Sequence, residues 1–153
     1  MRGHLFRHDA ECPAGLPPEI RRYAGLEVLR VRDEAMFRRC LWFDLMRALL
    51  GGAQPFLQHA AALVMRDPLT GVIASESYVV SSWRYAEIGT ITHPDYRGKG
   101  LSTVLCGQAI RWAASQGRVS IWSCDEANTA SWRVAERLGM RAGTPYCFYK
   151  RSL

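Results

Sequence analysis

The chain has 153 residues, of which 48% are hydrophobic and 22% are charged. This length suits a single domain with one core, and the composition excludes global disorder. No apolar run reaches the roughly 18 residues that a membrane span needs, and the first residues lack the apolar core of a signal peptide. We therefore expect one domain over 1–153, located in the cytoplasm and without a membrane partner.

The net charge of +6 is carried almost entirely by arginine, because Lys99 and Lys150 are the only lysines. A basic balance favours an anionic partner, but these arginines are dispersed along the chain rather than clustered. A nucleic-acid interface needs a basic stripe with interleaved aromatic residues, so we expect no nucleic-acid partner. A phosphate-bearing small molecule needs only one local basic loop.

The cysteines and histidines show neither disulfide nor metal-site spacing. The five cysteines are scattered and form no C-x-x-C pair, which favours reduced thiols. The four histidines lack the spacing of metal ligands, so we expect no metal.

The first third of the chain predicts an arm, a strand and a helix. Residues 1–18 contain prolines and glycine and predict an irregular N-terminal arm. The alternation in "LEVLRVR", 26–32, predicts a half-buried strand. Asp33 can cap a helix over 34–50, and Gly51 would end that helix.

The remaining patterns complete a mixed fold. "DPLTG" lies between two apolar runs and predicts an antiparallel hairpin. A strand, a helix, a strand, a helix and one or more closing strands follow, over 84–92, 100–117, 118–124, 128–139 and 141–150. This order predicts an α/β (α+β) domain, a mixed sheet with helices on its faces.

The stretch "THPDYRGKGLS" carries the clearest chemistry. It joins a strand to a helix, and the first N–H groups of a helix attract anions. Gly98 and Gly100 let the main chain approach a bulky oxyanion, while Arg97 and Lys99 add charge. The Walker A and dinucleotide-binding patterns both fail here. A solvated basic turn is the simpler alternative.

This loop resembles the acyl-CoA loop of the GNAT N-acetyltransferase superfamily, R/Q-x-x-G-x-G/A. It reads Arg97-Gly98-Lys99-Gly100-Leu101-Ser102, with Ser102 where Gly or Ala is usual. Some thirty residues later, "NTASWRVAERLGM" is similar to the family's asparagine helix, with Met140 replacing Phe. The resemblance covers 60–150. Within the superfamily, these stretches look most like the zwittermicin-resistance type.

The resemblance implies a GNAT fold, a mostly antiparallel sheet of about six or seven strands, flanked by helices and splayed at the acyl-CoA site. It also implies that acetyl-CoA is the acyl donor. Asn128 would contact the cofactor, or it would simply cap its helix. The full set of implied cofactor-binding residues is Thr90, Ile91, Thr92, Arg97, Gly98, Lys99, Gly100, Leu101, Ser102, Thr103, Asn128 and Ser131.

The catalytic residues follow less clearly from the resemblance. Glu87 is the candidate base on the strand before the loop, or an ordinary exposed strand glutamate. The family's second base position holds Ser123, and the position of the usual acid tyrosine holds Ala135. Tyr146, Ser123 or Cys124 would replace that tyrosine, or the thiolate would leave unaided or with water. We take Glu87 and Tyr146 as the candidate catalytic pair.

The implied function is an N-acetyltransferase that acts on a primary amine, in a small molecule rather than a protein. The alternative is a CoA- or acyl-CoA-binding module with little catalysis, regulatory or for loading. Residues 33–60 would build the acceptor pocket, with Phe56 and Trp83 as candidate lining residues. A homodimer is possible through the closing strands.

Overall fold

The computed structural model describes residues 2–7 and 19–147, which form one eight-stranded mixed sheet flanked by helices. The strands are β1 Arg2–Arg7, β2 Arg22–Tyr23, β3 Leu26–Arg30, β4 Ala60–Arg66, β5 Ile73–Ser81, β6 Tyr85–Thr92, β7 Val119–Asp125 and β8 Arg141–Cys147. The helices are α1 Glu34–Phe37, α2 Phe43–Leu50, α3 Ala53–His59, α4 Leu101–Ser115 and α5 Thr129–Arg137, with a 3₁₀ turn at Pro94–Tyr96. The predicted fold class is confirmed.

The strand order is β2-β3-β4-β5-β6-β7-β1-β8, and every neighbouring pair is antiparallel except β6 with β7. No helix in the described ranges is long and apolar enough to span a membrane.

The prediction of an irregular arm over 1–18 is wrong for its first part. Arg2–Arg7 is a strand that lies between β7 and β8 and pairs with both. Without it, those two strands would leave unpaired backbone edges facing each other, and buried backbone groups need partners. This pairing is non-local and leaves no periodic signal in so short a segment. Residues 8–18 lie outside the described part of the chain.

The predicted helix over 34–50 is divided. Asp33 caps α1 as expected, since its carboxylate accepts a hydrogen bond from Met36 N at 2.8 Å. The chain then leaves helical geometry and restarts as α2, which ends at Gly51 in the left-handed conformation as predicted. The short helix α3 was not predicted.

The helices form two layers. Helices α4 and α5 pack on one face of the sheet around Ile88, Ile110 and Trp122. On the other face, α1 to α3 pack around Phe37 and Phe56, whose rings stack with centroids 4.4 Å apart. The sheet therefore separates two different environments, and a strand residue faces one or the other.

Strands β6 and β7 separate along their length. They pair in parallel only from Tyr85 with Val119 to Glu87 with Ile121, although both strands continue beyond these residues. The edge of β6 over 88–92 that faces β7 therefore has no strand partner in the described chain. A cleft opens between the strands, and β6 leads from it directly into the glycine loop.

Candidate active site

The glycine loop presents a row of free amide groups. Gly98 and Gly100 have φ of +76° and +72°, in the left-handed region that glycine adopts without strain. A Cβ at either position would meet nothing within 4 Å, so the space above the loop is open. The amides of 98–103 donate to no residue in the described ranges, because the first bond of α4 is from Val104 N to Gly100 O. This arrangement can bind a phosphate group.

The start of α4 is tied to the sheet by a chain of hydroxyl groups. Ser102 Oγ lies 2.7 Å from Thr92 Oγ1, which lies 2.8 Å from Ser75 Oγ. Leu101, the residue before Ser102, is buried in the core. The hydroxyl of Ser102 is therefore occupied within the protein, and its amide is the group presented to a ligand.

The two cations of the loop differ in how they are held. Arg97 is exposed, and its Nε donates to the Thr92 carbonyl at 3.3 Å. Lys99 Nζ lies 5.1 Å from the ring centre of Tyr96, a cation–π arrangement. Tyr96 is fixed in turn by a 3.0 Å hydrogen bond to Asp67. Both charges thus stand beside the open loop.

Glu87 and Ser123 meet where the cleft opens. Ser123 Oγ on β7 donates to Glu87 Oε1 on β6 at 2.5 Å, and Glu87 is the last residue of β6 that pairs with β7. Glu87 is half-buried rather than fully exposed. Ser123 therefore fixes the direction of the Glu87 carboxylate. This geometry suits a proton acceptor with a fixed direction.

We expect Ser123→Ala to lower kcat about tenfold, because the variant loses the charge-assisted hydrogen bond that orients Glu87 and each 1.4 kcal/mol is tenfold in rate. Steady-state thiol release checks kcat, and calorimetry should show unchanged CoA affinity. Ser120→Ala, buried on the same strand, is the control. Equal kcat in the two variants would contradict this role.

Asn128 and Ser131 both have structural partners. Asn128 caps α5, since its Oδ1 accepts from Ser131 N at 3.1 Å. Ser131 Oγ accepts a hydrogen bond from the buried Trp122 indole at 2.9 Å. The capping alternative for Asn128 is thus observed, and a contact of either residue with CoA stays a prediction.

Tyr146 lies two strands away from β7, and its catalytic role stays a prediction. Tyr146 lies on β8 and pairs with Gly3 on β1, which pairs with Asp125 on β7. Two strand spacings, about 10 Å, therefore separate it from β7. Cys124 packs against the core cluster on the α4 side, and burial raises the pKa of its thiol. Cys124 therefore lies on the face of the sheet opposite to Glu87.

Of the two predicted aromatic lining residues, Phe56 is buried in the core, while a contact of Trp83 with the acceptor stays a prediction. Phe56 is buried against Phe37 in the core, and Trp83 is 97% exposed in the turn before β6, at the end of the strand away from the loop. Phe56 was mistaken for a pocket residue because α3 was not predicted. The aromatic side chain near Glu87 that the sequence did not reveal is Tyr78.

Glu76 lies on β5, two residues before Tyr78, and it binds the backbone of the segment between α1 and α2. Its carboxylate is 1% exposed and accepts from Leu41 N at 2.6 Å and Trp42 N at 3.3 Å. Burial raises its pKa from 4.5 to about 7, although the two backbone hydrogen bonds act in the opposite direction. One buried side chain thus fixes the segment that carries Trp42.

The titration of Glu76 predicts a pH-dependent stability. Because its pKa is higher in the folded state, the folded state binds the extra proton between pH 4.5 and about 7. The free energy of unfolding of the wild type therefore falls as pH rises through this window. Its fall exceeds that of Glu76→Gln by up to about 3 kcal/mol. Urea unfolding of both proteins at several pH values measures this difference. A difference that is constant with pH would contradict it.

A cavity of about 820 Å³ lies on the α4 side of the sheet, away from Glu87 and the loop. Arg30 and Arg111 line it, and the Arg30 guanidinium lies 5.2 Å from the ring centre of Trp112. Glu19, which follows residues outside the described ranges, also lines this cavity. We assign the cavity no role in the site.

The splayed strands, the free amides and the oriented carboxylate all lie along β6 and the loop that follows it. The model of the GNAT acetyltransferase family matches residues 29–149, and the chain belongs to this family. An uncharacterised N-acetyltransferase of Bacillus subtilis (strain 168), YdfB, is 34% identical over 64 residues, 42% of this chain and 24% of that protein. The nearness to the zwittermicin-resistance type stays a prediction.

Solved structures share the fold. A GCN5-related N-acetyltransferase-like protein from Streptococcus suis 89/1591 is similar with a TM-score of 0.74 and 22% identity, over 95% of this chain and 59% of that one. The aminoglycoside N-acetyltransferase AAC(6')-Iy, solved in complex with CoA, has a TM-score of 0.64 and 19% identity, over 83% of this chain and all of that one. The chain thus spans about a quarter of the curated relative and three fifths of the first structure.

Proposed function

We propose that this protein transfers the acetyl group of acetyl-CoA to a primary amine, in a small molecule, by direct attack of the amine on the thioester. The observation that carries this proposal is the Glu87–Ser123 pair at the point where β6 and β7 separate, on the strand that leads to a loop of free amides. A proton acceptor and a phosphate site therefore lie at two ends of one cleft.

The residues present fit CoA. The open space over Gly98 and Gly100 admits a pyrophosphate, which the amides of 98–103 would hold, with Arg97 and Lys99 at the rim. The unpaired edge of β6 over 90–92 can pair with the amides of a pantetheine arm. When bound, acetyl-CoA supplies an acyl group activated as a thioester.

The chain's own part in the reaction is proton transfer and orientation. Glu87 accepts a proton from the amine, directly or through one water, as the nitrogen bonds to the acyl carbon. Ser123 keeps the carboxylate oriented during this step. The C–S bond breaks, and the proton held by Glu87 is returned through solvent to the thiolate, so the carboxylate is regenerated.

The second candidate function is a CoA-binding module with weak or no catalysis. The observation that favours it is Ala135, which is fully buried in the core and cannot donate a proton. Free-thiol release from acetyl-CoA, measured across aminoglycosides, polyamines, amino acids and a peptide N-terminus, separates the two. Release that depends on a small amine supports the transferase. Tight CoA binding without release from any amine supports the module.

A further inference from the structure

Tyr78 is an aromatic residue at the cleft that the proposed reaction has not yet used. It lies on β5 directly opposite Gly89 on β6, two residues beyond Glu87. A Cβ at Gly89 would overlap Cζ, Cε1 and the hydroxyl oxygen of Tyr78. The ring therefore lies across β6, and its hydroxyl occupies the place of the missing side chain. Glycine at 89 is what lets this hydroxyl reach the strand that borders the cleft.

The position of the Tyr78 ring is fixed from behind. The Trp42 ring packs against it with centroids 4.5 Å apart, and Trp42 is held by the buried Glu76 carboxylate. A ring packed on one side and placed over bare backbone on the other has little freedom to move. Its hydroxyl is thus preorganised rather than free to rotate away.

The surroundings of Tyr78 make it a donor at working pH. Burial, and then the negative charge of Glu87 with smaller effects of Cys106 and Glu76, raise the pKa of Tyr78 far above the ordinary tyrosine value. Its hydroxyl stays protonated, and it has no hydrogen-bond partner among the described residues. A half-buried hydroxyl without a partner, placed at a cleft, has its donor available for a ligand.

We propose that Tyr78 is a catalytic residue whose hydroxyl donates a hydrogen bond to the acyl carbonyl oxygen of bound acetyl-CoA. This inference rests on the proposed function for the acyl donor. The hydroxyl keeps its proton and stabilises the negative charge that develops on the acyl oxygen, the most effective use of a fixed donor. No additional acid is then needed for the carbonyl to be activated.

The direct test is isotope-edited infrared spectroscopy of acetyl-CoA labelled with ¹³C at the acyl carbonyl. A hydrogen bond lowers the carbonyl frequency, so the bound label should absorb at lower frequency in the wild type than in Tyr78→Phe. Tyr85→Phe, an exposed tyrosine on β6, is the matched control and should behave as the wild type. The same frequency in Tyr78→Phe and wild type would overturn the proposal.

Kinetics add a second test. Tyr78→Phe should lower kcat about 10²-fold, the usual effect of removing one such donor, with CoA affinity unchanged. Gly89→Ala, which displaces the hydroxyl without removing it, should give a similar loss that is not additive with Tyr78→Phe. Full turnover by Tyr78→Phe would overturn the catalytic role. If the wild type shows the frequency shift but no turnover, the hydrogen bond from Tyr78 is supported and the proposed acetyl transfer is refuted.

Discussion

Gly100→Val is expected to weaken CoA binding about 100-fold or more. Gly100 has a φ of +72° and open space above it, and it lies at the start of α4. A branched side chain there fills the space over the free amides and forces the loop out of the left-handed region. Loss of two charge-assisted hydrogen bonds to a pyrophosphate accounts for a factor of this size. Isothermal calorimetry with CoA measures it.

The control for Gly100→Val is at the other end of the same helix. Gly117 has a φ of +67°, and a Cβ there would also meet nothing within 4 Å. Gly117→Val therefore carries a similar backbone strain, and each variant should lose roughly 5 °C of melting temperature. Only Gly100→Val should lose affinity for CoA. Equal CoA affinity in the two variants would show that the loop does not hold the cofactor.

Glu87→Gln is expected to lower kcat by about 10²- to 10⁴-fold, the usual contribution of a positioned base. The amide oxygen of glutamine can still accept the hydrogen bond from Ser123, so the shape of the site is kept while its proton acceptor is lost. CoA affinity should not change, because the loop is untouched. Thiol release with the best amine of the panel gives kcat.

The matched control is Glu136→Gln, an exposed glutamate on α5 that should leave kcat unchanged. Turnover of Glu87→Gln at the level of this control would mean that water or another group takes the proton. In that case the carboxylate at the cleft has a structural role only.

The parts of this molecule that rest on local chemistry could be predicted from the sequence. The loop at 97–102 is recognisable because glycine is the residue that adopts left-handed geometry without strain, as Gly98 and Gly100 do here. The turn at Asp67 is local too, since the Asp67 carboxylate accepts from Leu69 N two residues later. Glu87 was found because β6 runs straight into the loop.

The parts that depend on distant contacts could not be predicted. Apolar periodicity runs unbroken through 34–50, and the helix breaks because Glu76, 35 residues from Leu41, captures two backbone amides. Strand β1 forms through pairing with the far end of the chain. The role of Tyr78 depends on its register opposite Gly89, which no sequence pattern shows.

Amide hydrogen exchange in the loop tests the central claim most directly. If the backbone of 98–103 holds the pyrophosphate, adding CoA should slow exchange of these amides, which donate to no described residue in the absence of ligand. Adenosine, which lacks the pyrophosphate, should leave them unchanged. Saturating CoA that protects other segments while the amides of 98–103 exchange at their original rate would contradict the account.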